Sequence, residues 1–340
     1  MSQSNREIRL KRRPTGMPTE ADFELAETPV PTPGAGQVLV RNIYMSVDPY
    51  MRGRMVDRAS YVPPFQVGEV LSGGAVGQVT ASNGNPNFKA GDFVNNFSGW
   101  REWFVSGGGD LQKIDPNLAP IQAYLGTFGM PGLTAWAGIL KVGELKDGER
   151  VFVSGAAGAV GAVVCQIAKN KGCYVVGSAG SDEKCDWLKK NARVDATINY
   201  RSAGNLDAAV RKAFRDGIDV YFDNVGGEHL NAALGHMRLN GRIPVCGMIS
   251  QYNDTALPPG PSNIVMVIPN RLTIKGFIVT DYANQLPQFL TDMGKWRAEG
   301  KMNWHETVVD GIENAPRAFI GLFKGENLGK MLVKVGEAKS

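Results

Sequence analysis

Val151-Phe-Val-Ser-Gly-Ala-Ala-Gly-Ala-Val-Gly161 runs a β-branched segment directly into glycines and alanines that open an apolar-periodic helix. The pattern predicts a strand over 151–154, a turn carrying Gly155 and Gly158, and a helix over 159–171 that stops at Gly172. Side chains no larger than a methyl let the main chain approach a ligand, and the N–H groups of a first helical turn face negative charge, so the stretch suits a pyrophosphate. A tight strand-to-helix turn without a ligand shows similar glycines. Here a second strand, 174–178, follows the helix and completes the strand–helix–strand unit that dinucleotide binding requires.

Outward from this unit the alternation continues. Helix 182–190, strand 196–198, helix 205–214, strand 219–223, helix 227–236 and strand 242–246 are read in turn, then strand 272–278 and helix 284–298. Such alternation builds an α/β doubly wound parallel sheet covered on both faces. Upstream, short β-rich runs broken by Gly and Pro (38–45, 68–80, 92–97 and 103–105) indicate a compact β-barrel or sandwich. The texture changes at Gly129-Met-Pro-Gly-Leu-Thr-Ala-Trp136, where Pro131 suits a first helical turn and a new domain begins. The segment Ala256-Leu-Pro-Pro-Gly-Pro-Ser262 is expected to be a loop.

The 340 residues are ample for two domains. The net charge of +4 is local, with Arg6, Arg9, Lys11, Arg12 and Arg13 crowding one end. No signal-peptide core follows them, and a solvated tail or edge strand is expected there rather than a nucleic-acid contact. No run reaches the length of a membrane span. The four cysteines have no close paired spacing, which fits reduced thiols in a cytoplasmic protein.

In a dinucleotide unit that prefers NAD, a carboxylate closes the second strand about 20 residues past the glycines. Gly180 and Ser181 stand near that place, while Asp182 and Glu183 fit the first turn of the following helix. Lys184 comes next, either to meet the 2′-phosphate of NADP or as an ordinary surface lysine. Tyr200 could bring its ring to the adenine or its hydroxyl to that phosphate.

Several blocks in one order then give a resemblance over nearly the whole length. They include Met45-Ser-Val-Asp-Pro-Tyr-Met-Arg-Gly-Arg-Met55, Gly129-Met-Pro-Gly-Leu-Thr134, Tyr221-Phe-Asp-Asn-Val-Gly-Gly227, Val245-Cys-Gly-Met-Ile-Ser-Gln-Tyr-Asn253, Leu257-Pro-Pro-Gly-Pro261 and Lys324-Gly-Glu-Asn-Leu-Gly-Lys330. The chain resembles the zinc-independent medium-chain dehydrogenases/reductases, in the group of prostaglandin reductase, plant 2-alkenal reductase and, nearest, bacterial NADPH-dependent curcumin reductase. The resemblance implies a GroES-like β-barrel catalytic domain from residues 1–125 and 298–340, a Rossmann domain over 126–297, and a homodimer joined through the Rossmann domains. It also implies NADPH contacts. Gly158, Ala159, Val160 and Gly161 would lie at the pyrophosphate, Lys184 and Tyr200 at the adenosine phosphate, and Asn224 after the fourth strand. Cys246, Gly247, Met248, Ile249, Ser250, Gln251 and Tyr252 would line the next strand end. Phe277, Ile278 and Val279 would lie on the nicotinamide side and Asn327 in the returning tail, and Met130 and Thr134 of the 129–134 block would also contact the coenzyme. Met248, Gln251 and Ile278 are positions where members vary.

Zinc-dependent relatives use a cysteine and a Gly-His-Glu block, because thiolate and imidazole suit a catalytic zinc. This chain has Met45-Ser-Val-Asp48 and Val67-Gly-Glu-Val70 instead. His229 and His236, seven residues apart in an expected surface helix, and His305 are expected in solvated or capping roles. A nicotinamide without a metal fits reduction of a carbon–carbon double bond conjugated to a carbonyl, in a small hydrophobic enone or enal. The hydride would go to the β-carbon, and the resulting enolate needs a donor. Tyr252 is the first candidate, since a phenol can donate while neutral, Tyr50 the second and Tyr61 the third. A quinone oxidoreductase of the same superfamily and a non-catalytic NADPH-binding protein remain the alternatives.

Overall fold

The structure, a computed structural model, describes residues 4–338. It divides into two compact units, one running to Leu125 and resuming at Glu306, the other Gly126–His305.

The second unit is built on six strands: β1 (Arg150–Val153), β2 (Tyr174–Ala179), β3 (Ala196–Asn199), β4 (Ile218–Phe222), β5 (Met237–Val245) and β6 (Thr273–Gly276). Their order is β3-β2-β1-β4-β5-β6, and every pair is parallel. The order reverses between β1 and β4, and in such sheets ligands bind beyond the strand ends at that point. The expected doubly wound α/β sheet is therefore observed. Its helices are α1 (Met130–Ala137), α2 (Gly161–Asn170), α3 (Asp182–Trp187), α4 (Leu206–Ala213), α5 (Gly227–Leu234) and α6 (Leu286–Ala298).

Sequence and structure differ most at element ends. Helix α2 begins at Gly161 rather than 159, because Gly158 to Val160 are spent in the turn. Strand β5 starts five residues earlier than the apolar run, since Met237 already pairs with Ile218 across an irregular register. The β1–β4 core is apolar on both faces, as a sheet covered by helices must be. Phe152, Val176, Ile198, Tyr221 and Ile243 are buried with α4 and α5 residues Val210, Ala233 and Leu234.

The first unit is a barrel-like arrangement in which strand Val38–Ser46 is central. Its one edge pairs antiparallel with Ala75–Ser82; its other pairs first with Trp103–Ser106 and then, from Tyr44 on, with Leu332–Lys334. Two register shifts against Ala75–Ser82 let the strand bend. The returning tail adds Lys330–Lys334 and, parallel to it, Glu306–Asp310. The second barrel strand begins at Ala75 rather than at the expected 68, because residues 68–74 turn at Gly68 and make only isolated bridges, Val70 to Arg9 and Gly73 to Ser98.

Ser4–Leu10 is a strand, the second of the two expectations for this end, and pairs antiparallel with Phe23–Pro29, a strand that had no expectation in the sequence. Its arginines are neutralised locally. Arg6 pairs with Glu102 at 2.6 Å, Arg9 with Glu7 at 2.6 Å and Arg12 with Asp22 at 2.6 Å. The run therefore presents no concentrated positive field to a polyanion. Among the described residues no helix is long and apolar enough to cross a membrane.

Candidate functional site

The glycine turn is shaped by contact as well as by backbone freedom. Gly155 takes a left-handed φ of 57°. A Cβ on Gly161 would collide with the Gly155 carbonyl oxygen and come within 2.8 Å of the Ala156 Cα, so only glycine lets α2 start this close to β1. Gly158 donates its N–H to the Gly155 carbonyl at 3.0 Å. Gly158, Ala159 and Val160 are half-buried between the buried Ala157 and the buried helix. A small-residue turn at a ten-residue helix's N-terminus fits a pyrophosphate.

The strand end beneath it is a hydrogen-bonded hub. The buried Ser154 hydroxyl oxygen lies 3.0 Å from the Tyr221 hydroxyl and accepts the Asn224 N–H at 3.0 Å. The Asn224 amide donates to the Ser154 carbonyl at 2.7 Å, clamping β1 to the loop after β4. Asp223 Oδ1 accepts from Tyr221 at 2.7 Å, the Val225 N–H at 2.9 Å and the Gly226 N–H at 2.8 Å. Its Oδ2 is buried and has no partner among the described residues. Burial raises the Asp223 pKa against the pull of these donors.

Strand β2 ends at Ala179 and is followed by Gly180 and Ser181, neither of which carries a carboxylate. Asp182, the first carboxylate after the strand, opens α3 and accepts from Asn199 at 2.8 Å. Ser181 caps α3 by accepting the Lys184 N–H at 3.3 Å. The Lys184 ammonium has its pKa lowered by burial and then by the charge of Arg201. Two cations held close repel each other unless an anion lies between them, which suits a phosphate dianion. Arg201 was missed in the sequence, where only its position directly after Tyr200 could have pointed to it. A Cβ on Gly180 would lie 2.7 Å from the Tyr200 hydroxyl, so this glycine makes room for the phenol at the strand end.

Residues 246–252 are zipped to the same loop. The N–H groups of Cys246 and Gly247 donate to the Asp223 carbonyl at 2.9 and 3.1 Å, and Ile249 to Asn224 at 3.3 Å. Ser250 reaches Val225 through its hydroxyl at 2.6 Å. Tyr252 follows a short 3₁₀ turn, Ile249–Gln251, and its hydroxyl oxygen accepts the Met248 N–H at 3.2 Å. A phenol that accepts in this way keeps its proton as a donor. Met248 packs against the β1–β4 core. The Cys246 thiol, pushed up to about 12 by burial and the Asp223 charge, is not a nucleophile.

Phe277 stands just past β6, edge-to-face with Phe222 at 6.3 Å, ahead of a 3₁₀ turn that Ile278 caps and Val279 opens. Met130 is partly exposed at the start of α1. Thr134 is buried, its hydroxyl donating to the Met130 carbonyl at 2.7 Å.

In the other unit, Tyr50 precedes a one-turn helix, Met51–Arg54. Its hydroxyl is buried beside the Arg54 guanidinium, without a hydrogen bond of ordinary geometry among the described residues. Burial and then the Asp48 charge raise its pKa well above the phenol range. Asp48 forms a buried pair with Lys330 at 3.1 Å, and Lys330 also donates to the carbonyls of Val47 and Met331, both at 2.9 Å. Tyr61 is largely exposed. The Asn327 amide donates to the Gly329 carbonyl at 2.7 Å.

His229 departs from its expected solvated or capping role. It is buried, its Nε2 2.9 Å from the Ser178 hydroxyl, because its helix face turns toward β2 rather than to solvent. His236 lies beyond the end of α5, against Asp207 at 3.0 Å. Among the described residues no three His, Cys, Asp or Glu side chains are grouped to hold a metal.

Residues 6–114 match the family described as the N-terminal domain of oxidoreductase, and residues 159–295 the family described as zinc-binding dehydrogenase. The chain is 44% identical to the NADPH-dependent curcumin reductase of Escherichia coli, across 98% of this chain and 97% of that protein. It is 44% identical to the NADP⁺-dependent 2-alkenal reductase of Nicotiana tabacum, across 98% of each. The solved structure of CurA from Vibrio vulnificus in complex with NADPH superposes with a TM-score of 0.93 at 41% identity, covering 98% of this chain and 99% of that one.

Proposed function

Since this chain belongs to the medium-chain dehydrogenase/reductase family that includes curcumin reductase and 2-alkenal reductase, we propose that it uses NADPH to reduce the carbon–carbon double bond of α,β-unsaturated ketones and aldehydes. The observation that carries the reading is the near-complete alignment, at 44% identity, with two enzymes named for such reductions. When bound, NADPH supplies a hydride to the β-carbon of the enone.

The chain's own residues do the rest. Gly158 to Gly161 hold the pyrophosphate against the α2 N-terminus. Lys184, Arg201 and Tyr200 take the 2′-phosphate. As charge moves onto the carbonyl oxygen, Tyr252 gives it a hydrogen bond while keeping its proton, and the α-carbon of the enolate then takes a proton from solvent water. The short bonds that tie residues 246–250 to the Asp223–Val225 loop support this role, because a donor works best when its position is set beforehand. Tyr50 is proposed as a second substrate contact on the strength of its buried oxygen, set beside the Arg54 guanidinium. Asn327 and the 277–279 segment are proposed as further coenzyme contacts.

The same reading makes the protein a cytoplasmic homodimer. Its four cysteines are free, and β6 is a sheet edge with all four residues exposed. An unpaired edge of this kind accepts a second strand.

The test is the loss of NADPH absorbance with a panel of enones, enals and quinones. Turnover of enones is expected. Quinone turnover without enone turnover, or coenzyme binding with no turnover, would overturn the proposal.

A further inference from the structure

We propose that His229 is a positioning residue for coenzyme choice, its ring holding Tyr200 against the end of β2 and so setting the preference for a 2′-phosphorylated coenzyme. The inference rests on the NADPH reading above.

A polar ring inside a core needs a reason to be there. His229 is 5% exposed on α5, and its Nε2 meets the hydroxyl of Ser178, which is 0% exposed. Ser178 lies on β2 two residues before Gly180, so the bond fixes the imidazole relative to the strand end where the phosphate cluster forms. The ring stacks near-parallel on Phe152 at 6.5 Å and 17°. On Tyr200 it bears edge-to-face, at 5.1 Å and 79°. Tyr200 is otherwise a surface residue, 38% exposed, with its main chain anchored to the Ala179 carbonyl at 3.1 Å. Its hydroxyl stands in the space left by the missing Gly180 side chain. Loss of the imidazole would leave room for the phenol to drop away from Gly180.

The ring acts by shape and not by charge. Burial lowers its pKa to about 4, so near neutrality it adds nothing to the positive cluster of Lys184 and Arg201. The pyrophosphate turn is held by Ser154, Asp223 and Asn224, none of which bonds to His229. A change at His229 should therefore be felt at the adenosine phosphate and not at the pyrophosphate.

Binding of 2′,5′-ADP and of 5′-AMP to the full chain, measured by calorimetry, separates these ends. Wild type is expected to prefer 2′,5′-ADP; if it does not, the NADPH reading fails and this inference falls with it. Given that preference, His229→Ala is expected to weaken 2′,5′-ADP about tenfold, the size of a lost edge-to-face contact, with 5′-AMP changed less than about twofold. His229→Phe keeps an uncharged ring and should restore the preference. Equal losses for both ligands, no loss, or no rescue by phenylalanine would overturn the inference. Should His229→Ala not fold, Ser178→Ala, which releases the ring from its anchor, is expected to reduce the preference about threefold. An unchanged preference there would be equally fatal.

Discussion

Replacing Tyr252 with phenylalanine removes one O–H and little else. A single oriented donor at a developing oxyanion contributes on the order of 10² to 10³ in kcat, and that is the expected loss. The same oxygen accepts from Met248 at 3.2 Å, a long, part-buried bond. Its removal should destabilise the fold by about 0.5–1 kcal/mol, too little to unfold the chain. Gly247→Ala offers a complementary perturbation that leaves the hydroxyl in place. Gly247 is not in the left-handed region, so alanine fits its backbone. Its Cβ, however, would stand 2.8 Å from the Tyr252 oxygen, where ordinary contact begins at 3.4 Å, so the phenol must retreat by roughly 0.6 Å. Misplacement by about 1 Å can cost 10²-fold, which makes roughly tenfold a fair expectation for this variant. Both are read as kcat with a saturating enone, beside NADPH affinity from coenzyme fluorescence. If Tyr252→Phe keeps kcat within about threefold of wild type, or loses only coenzyme affinity, the donor assignment is wrong.

Lys184→Ala should weaken NADPH by about 10- to 100-fold, the worth of a charged hydrogen bond, while NADH affinity stays nearly constant. Arg201→Ala should behave alike; equal losses for both coenzymes would remove either residue from the phosphate site. The depressed pKa of His229 predicts a pH effect on stability. The unfolded histidine binds its proton near the ordinary value of 6.5 and the folded one only near about 4, so stability is full above 6.5 and falls as pH drops through that window. Between pH 7 and 5 this amounts to about 2 kcal/mol, visible as a urea-midpoint shift that His229→Phe should lack. For assembly, light scattering should give twice the chain mass, and Ile274→Asp on the exposed edge strand should halve it. A monomeric wild type would contradict the edge-pairing proposal.

The nucleotide fold was readable because its signals are local. The β-branched run 151–153, the glycines that follow and the periodic helix all lie within one stretch of sequence, and each side chain reports its own environment. Lys184 could be singled out for the same reason, since it follows Gly180 and Ser181 where a carboxylate would otherwise stand. Arg201 could not, because its link to Lys184 exists only once β2 and β3 lie side by side. His229 was misread on similar grounds. Helical spacing from His236 suggested one exposed face, but α5 ends at Leu234 and the face carrying His229 is turned inward to Ser178. Phe23–Pro29 was hidden because only one of its faces is apolar in part and its partner strand lies at the charged end of the chain.

The network around Asp223 explains how one unit can hold both a coenzyme and a donor in register. Its carbonyl takes the N–H groups of Cys246 and Gly247, its carboxylate takes those of Val225 and Gly226, and the next residue, Asn224, clamps the carbonyl of Ser154 at the mouth of the glycine turn. The path from the pyrophosphate turn to Tyr252 thus runs through hydrogen bonds that tie the loop after β4 to the ends of β1 and β5. A path of this kind keeps the reacting groups at fixed separation, which is where most of the advantage of a preformed site comes from. It also accounts for keeping a carboxylate in the core despite its raised pKa, since one of its oxygens accepts from two backbone N–H groups and a tyrosine at once and it brings no donor of its own. Asp223→Asn, which puts an amide donor into the same space, should therefore disturb coenzyme binding and Tyr252-dependent turnover together. An effect on one alone would mean that the two are held independently.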